Sequence, residues 1–424
     1  MKKKNDLLIG AISLAFVAAC GGDTTETPGG GAMTTADADQ NARMAPMFEV
    51  DPFWPKPLPN HWLLGATIGV DVDSRDHIWI VHRNTPDQFG ARTEIGLAQQ
   101  PPLSECCQPA PPVLEFDQEG NLVSSFGGIG TETGDYVWPA SNHGITVDHM
   151  DNIWIGGNGQ ADSHVLKFTR GGEFLMQVGM PGARQEGEEN GQPVFRRNSH
   201  ATDSFGRVAK IGIDGDANEA YFADGYFNRR VAVVDMDTGE LKRYWGAYGN
   251  EPDDALDLGS YTPEGDPAPQ FRGPVHCSEI SNNGLVYVCD RSEDRIQVFQ
   301  KDGTFVQEVI IAPKTLSQGS TWDIAFSPDP EQTYLYLADG QNMKVYIIER
   351  ETMEVLTAFG DGGRQPGLWF AVHSIAVDSS GNIYTTETYE GTRVQKFVYK
   401  GLGPIPAGAE GINSQGAPWP AGKK

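Results

Sequence analysis

One pattern recurs six times between residues 68 and 397, and it constrains this chain more than any other feature. Each copy reads as a short apolar strand often ending in Asp, a turn, and a second strand rich in Ile, Tyr and Trp. A loop, a Val-x-x-Phe-like segment and a turn into a last strand complete it. Such a unit is a four-stranded sheet that cannot bury both faces alone, so the copies must stack on one another. The first runs through 68–73, 77–80, 113–117 and 122–127, the second through 143–148, 152–155, 164–168 and 174–179. The remaining copies open at Ala209, His276, Trp322 and His373. With 51 glycines and 28 prolines in 424 residues, the chain is also punctuated too often for long helices. The expected fold is all-β, a six-bladed β-propeller. Its sixth copy runs out of strand after Phe397, and residues 47–51, ahead of the first copy, can supply the missing outer strand. The ring is then closed by an N-terminal strand, which protects edges that an open stack would expose.

The ends of the chain read differently. Lys2 to Lys4 precede an apolar run from Leu7 to Ala19 and then Cys20, which is the pattern of a secretory signal over residues 1–20. Val17-Ala18-Ala19-Cys20 resembles the lipobox of bacterial lipoproteins, which implies lipidation of Cys20 and a place in the cell envelope, with membrane contact through the anchor alone. Residues 21–45 lack an apolar period and are expected to be a disordered linker, 46–401 the propeller, and 402–424 a Gly/Pro-rich tail. A net charge of −25 with no basic stripe argues against nucleic acid as a partner. The expected partner is a small or peptide-like substrate, and the expected state is monomeric. Export favours disulfides. Cys277 and Cys289 flank the turn Asn282-Asn283-Gly284 at the ends of two facing strands, which predicts a bond between them. Cys106 and Cys107 are adjacent, and either a vicinal bond or two free thiols fits the sequence.

Aligning the six first strands brings Ile68, His143, Ala209, His276, Trp322 and His373 to one position. Histidine falls on the even blades only. First strands of a propeller line its central channel, so these three lie about 120° apart and converge near its mouth. Three imidazoles with an open position suit one zinc ion, with copper, iron or nickel as alternatives. The loop between second and third strands opens on the same face, and there the chain places Arg83, Tyr226 and Arg291. A tyrosine between arginines beside a metal is suited to accept a proton, and guanidinium groups can hold a substrate carboxylate. Gly225 is expected to allow a tight turn that leans Tyr226 inward.

Together these residues resemble peptidyl-α-hydroxyglycine α-amidating lyase, a propeller of NHL-like repeats, over about residues 60–400. The carriers are His82-Arg83, His143-Gly144, Asp224-Gly225-Tyr226-Phe227-Asn228, His276, Asp290-Arg291 with Arg295-Ile296-Gln297, and His373. The resemblance implies that His143, His276 and His373 bind a catalytic zinc, that Tyr226 is the base, and that Arg83 belongs to the active site. Arg291 is the expected further substrate contact. The family has an aspartate after the third histidine, contributing to a structural calcium site, where this chain has Ser374. That departure argues against calcium. The expected activity is a metal-dependent lyase that splits an α-hydroxy-N-acyl compound into an amide and a carbonyl product. A metal-dependent propeller hydrolase or lactonase, and a non-catalytic NHL scaffold, are the alternative readings.

Overall fold

The computed structural model describes residues 43–85 and 94–405. The expected signal, Cys20, nearly all of the linker and most of the tail lie outside the described residues. Among those described, the dominant elements are six four-stranded antiparallel sheets, five of them meanders whose strands follow chain order from the channel outward. Blade one is Thr67–Val72, Ile78–His82, Val113–Phe116 and Leu122–Phe126. Blade two is Asn142–Val147, Ile153–Gly157, His164–Phe168 and Phe174–Gly179. Blades three, four and five open with Ile211–Asp214, Val275–Ile280 and Asp323–Phe326. Blade six comprises Val372–Val377, Ile383–Glu387, Arg393–Pro404 and, as its outermost strand, Met44–Asp51 from the start of the ring.

Closure follows the expected pairing and extends it. Met44 faces Pro404 and Asp51 faces Lys396, with a bulge between Pro46 and Phe48. The last strand therefore runs past 401, because the incoming strand continues to offer backbone partners there. Phe48 anchors the seam, fully buried against Tyr336 and Phe359 of the fifth blade.

The apolar core is divided into six clusters, one between each pair of neighbouring blades. Alternation along each strand sends one set of side chains to each neighbour, which is why no blade is stable alone. Trp79 and Ile145, for example, meet between blades one and two, and Trp154 and Phe222 between blades two and three. Cys277 and Cys289 face each other across the first two strands of blade four and are bonded, with Cα atoms 4.9 Å apart. Cys106 and Cys107 are joined as well, so of the two readings left open for them the vicinal bond is the one observed.

Chain direction decides where the site can be. Each first strand runs away from the channel mouth, so second-to-third-strand loops and blade-to-blade connections share the mouth face. Those include the long segments 127–141, 180–210 and 246–274, whereas turns on the far face, such as 73–77 and 378–382, are short. A two-stranded hairpin, Gln185–Glu189 with Gln192–Phe195, rises from one of these connections.

Candidate functional site

His143, His276 and His373 sit at the mouth ends of the first strands of blades two, four and six. The ladder is bulged at each of these positions, between His143 and Ile145, between Val275 and Cys277, and between Val372 and Ile375. A bulge re-aims a side chain that the pleat would otherwise send into a blade interface. The three rings form a nearly equilateral triangle, with centroid separations of 5.1, 4.9 and 4.9 Å. One nitrogen from each lies within 4.8 Å of the others, close enough for the three to face one ion.

The odd blades complete the arrangement. Nδ1 of His143 donates to the carbonyl of Ala209 at 2.7 Å, Nδ1 of His276 to that of Trp322 at 2.5 Å, and Nδ1 of His373 to that of Ile68 at 2.8 Å. Ala209, Trp322 and Ile68 are the residues of the same register on blades three, five and one. Six equivalent positions thus supply three imidazoles and the three carbonyls that orient them. A carbonyl only accepts, so each Nδ1 carries the proton and each Nε2 presents its lone pair inward. Gly144 is required here twice over. Its φ is +60°, and a Cβ on it would stand 2.2 Å from the Ala209 oxygen that fixes His143.

Burial, reinforced by the cations of Arg83 and Arg291, pushes His143 down to about 3. His276 and His373 are held well below the usual imidazole range by burial first and then by neighbouring cations and each other. All three imidazoles are neutral at ordinary pH. Neutral imidazoles with one nitrogen tied to a backbone acceptor and the other presenting its lone pair inward fit a zinc centre with open positions. The calcium implied by the resemblance does not fit. Ser374 offers a hydroxyl that donates to Asp323, and the other oxygen of Asp323 holds the ammonium of Lys210.

Tyr226 lies beside the triad, its hydroxyl 2.9 Å from Nε2 of His143 and 3.0 Å from Nε2 of His276. Its loop is pinned by buried Asp224, which accepts from Gly206 N, from Asn228 Nδ2 at 2.9 Å and from Arg230 Nε at 2.8 Å. Gly225 serves a purpose other than the tight turn expected of it: a Cβ there would meet the Val275 nitrogen at 2.0 Å, so the glycine admits the fourth blade. Arg291 donates from Nη1 to the Tyr226 oxygen at 3.2 Å and from Nη2 to Gln318 at 2.9 Å. It stacks on Trp322 at 4.7 Å, and its buried Nε has no partner among the described residues. Arg83 donates to Asn158 at 3.0 Å and toward the carbonyl of Asn142, the residue before His143. Its neighbour His82 is pushed down to about 4 by burial and links Gly65 to Pro111, a structural role.

Sequence reasoning missed several neighbours of this site. Arg207 has φ of +66°, lies over the Phe227 ring at 4.5 Å, and offers its carbonyl to Tyr226 N at 3.4 Å. It stands in a blade-to-blade connection, where no repeat register exists to mark it. Trp322 was legible as a register position but not as the platform for Arg291. Lys210 carried no signal, because a lysine in a strand ordinarily faces solvent.

No family model matches the chain. Peptidyl-alpha-hydroxyglycine alpha-amidating lyase 1 of Drosophila melanogaster is 25% identical over 374 residues, covering 82% of this chain and 59% of that protein. The chain thus spans about three fifths of that relative's length. NHL repeat-containing protein 3 of Mus musculus is 23% identical over 322 residues, 74% of this chain and 70% of that one. Among solved structures, a streptogramin B lyase aligns with a TM-score of 0.48 at 13% identity, covering 83% of this chain and 98% of that one. The chain is a six-bladed propeller with distant similarity to an amidating lyase and to an NHL repeat protein.

Proposed function

We propose that this protein is a zinc-dependent lyase that splits an N-acyl-α-hydroxyglycine or similar carbinolamide into an amide and a carbonyl acid. The observation that carries the reading is the convergence of three neutral, carbonyl-oriented imidazoles beside one phenol and two guanidinium groups. The distant similarity to the Drosophila lyase supports the reaction class.

His143, His276 and His373 would hold the ion through Nε2. A zinc ion so held supplies Lewis acidity, easing loss of a proton from a hydroxyl it touches. Tyr226, acting as its phenolate, would take the proton from the substrate hydroxyl. As the C–O⁻ becomes C=O, the C–N bond breaks and the amide nitrogen leaves with the bonding pair. The proton held by Tyr226 then returns to that nitrogen, so no oxidant or water is consumed. Arg291, stacked on Trp322 and bonded to the phenol, and Arg83 on the other flank bind the carboxylate and oppose the charge that builds on oxygen. The lipobox-like segment adds the proposal that Cys20 anchors the enzyme at the cell envelope.

The test is release of glyoxylate from N-benzoyl-α-hydroxyglycine by zinc-loaded protein. Stoichiometric benzamide and glyoxylate, abolished by chelation and restored by zinc, is the expected result. Hydrolysis of an ester or lactone with no glyoxylate formed would contradict the lyase reading.

A further inference from the structure

Immediately beyond the histidines, going down the channel, the first strands place a buried ionic cluster that the proposed reaction does not use. Nζ of Lys210, on blade three, lies 2.7 Å from Asp323 Oδ1 on blade five and 2.7 Å from Glu279 Oε1 on blade four. The second oxygen of Asp323 accepts from Ser374 Oγ at 2.5 Å and from Ile375 N at 3.1 Å, both on blade six. Asp71 of blade one faces the same cluster and accepts from Val147 N of blade two at 2.7 Å. Lys210, Asp323 and Ser374 are all buried. Burial works against the ammonium, but the carboxylates of Asp323 and Glu279 outweigh it and hold Lys210 charged. Three carboxylates share one ammonium, and burial accordingly pushes Glu279 up to about 7 and Asp71 up to about 6.

The positions of these residues in the chain give the cluster its meaning. Lys210 follows Ala209, whose carbonyl orients His143. Asp323 follows Trp322, whose carbonyl orients His276. Ser374 follows His373 itself. The chain Lys210–Asp323–Ser374 therefore ties together, one residue behind each, the backbone that sets all three imidazoles. The same Asp323 and Ser374 direct their oxygen atoms to one another and to the Lys210 ammonium.

We infer that Lys210 is the positioning residue of the histidine triad, a built-in channel cation that fixes the three imidazoles through Asp323 and Ser374 in place of a second metal ion. The inference builds on the metal reading of the triad. Outer groups that orient ligands are worth roughly 10- to 100-fold in metal affinity, and Lys210 acts on three ligands at once.

The experiment compares parent, Lys210→Met, Lys210→Arg and Ser374→Ala by cobalt binding in chelator competition, by the visible spectrum of the bound cobalt, and by thermal melting. Lys210→Met is expected to melt cooperatively, to bind cobalt about 10- to 100-fold more weakly and to shift the spectrum. Lys210→Arg, which keeps the charge, should recover part of the affinity. Cobalt affinity within about twofold of the parent together with an unchanged spectrum in Lys210→Met would overturn the inference. Should that variant not fold, Ser374→Ala decides, since it cuts the link to His373 and leaves the ammonium in place. A several-fold loss supports the inference, and parental affinity refutes it. In metal-free protein, the Nδ1–H proton resonances of the three histidines report the same geometry. They should shift in Lys210→Met, and their persistence unmoved would refute the inference. A parent that binds no cobalt would instead count against the zinc reading alone.

Discussion

The phenol of Tyr226 lies within hydrogen-bond distance of two imidazoles, at 2.9 and 3.0 Å, and of Arg291 at 3.2 Å. Tyr226→Phe removes that oxygen and leaves the ring contacts with His143 and His276 in place. We expect kcat to fall by about 10² to 10⁴ with metal content and KM little changed. Turnover within about threefold of the parent would show that the phenol is only a wall. Elsewhere, blades three, four and six pair the acid that ends the second strand with an arginine that opens the third: Asp224 with Arg230, Asp290 with Arg295, Glu387 with Arg393. Blade five has Asp339 with Lys344 instead, and Asp339 bonds Asn342 and the Gln341 amide. Burial pushes its carboxyl up to about 7. A folded-state value above the unfolded one means that the folded chain holds the proton more tightly. Stability from this group is then full below about pH 4 and is lost as pH rises through 7. Asp339→Asn should therefore be more stable than the parent at pH 8, by at most about 4 kcal/mol, with the advantage shrinking by pH 5. Parallel melting curves for the two proteins from pH 5 to 8 would refute this. At this scale the three histidines were legible because a repeat gives every residue a register. Their carbonyl partners were not, since a backbone acceptor leaves no mark on residue identity.

First strands are where sequence pattern and structure part company. Alternation located all six, yet the bulges at His143, His276 and His373 add a residue that a period of two cannot register. Gly144 was the one visible trace of them. On blade three the regular strand begins at Ile211 and not at Ala209, although Ala209 N still donates to Ala223 O and so keeps the register. The disulfide was legible because Asn282 to Gly284 fixes a tight turn and thereby the facing of Cys277 and Cys289. Closing a loop with a sequence separation of 12, it should stabilise the fold by about 3 kcal/mol. The Cys277→Ala/Cys289→Ala protein should unfold at correspondingly lower denaturant with an unchanged slope, and equal midpoints would contradict that figure.

At the scale of the whole molecule, ring closure converts a stack of blades into one cooperative unit. Deleting residues 44–51 would expose the edge of Arg393–Pro404 and remove Phe48 from the seam between blades five and six. The truncated protein should melt well below the parent and self-associate through that edge, whereas a monomer melting at the parental temperature would show that closure contributes little. Closure was readable from a blade one strand short, but the long connections on the mouth face were not, since they lack any period. Two of these connections carry Arg207 and Gln318 to the site. The proposed chemistry rests on the triad, and zinc titration of metal-free protein reads its occupancy. One equivalent is expected to bind tightly to the parent, with that binding lost in the variant carrying His143→Ala, His276→Ala and His373→Ala. Equal stoichiometry and affinity in that variant would contradict it.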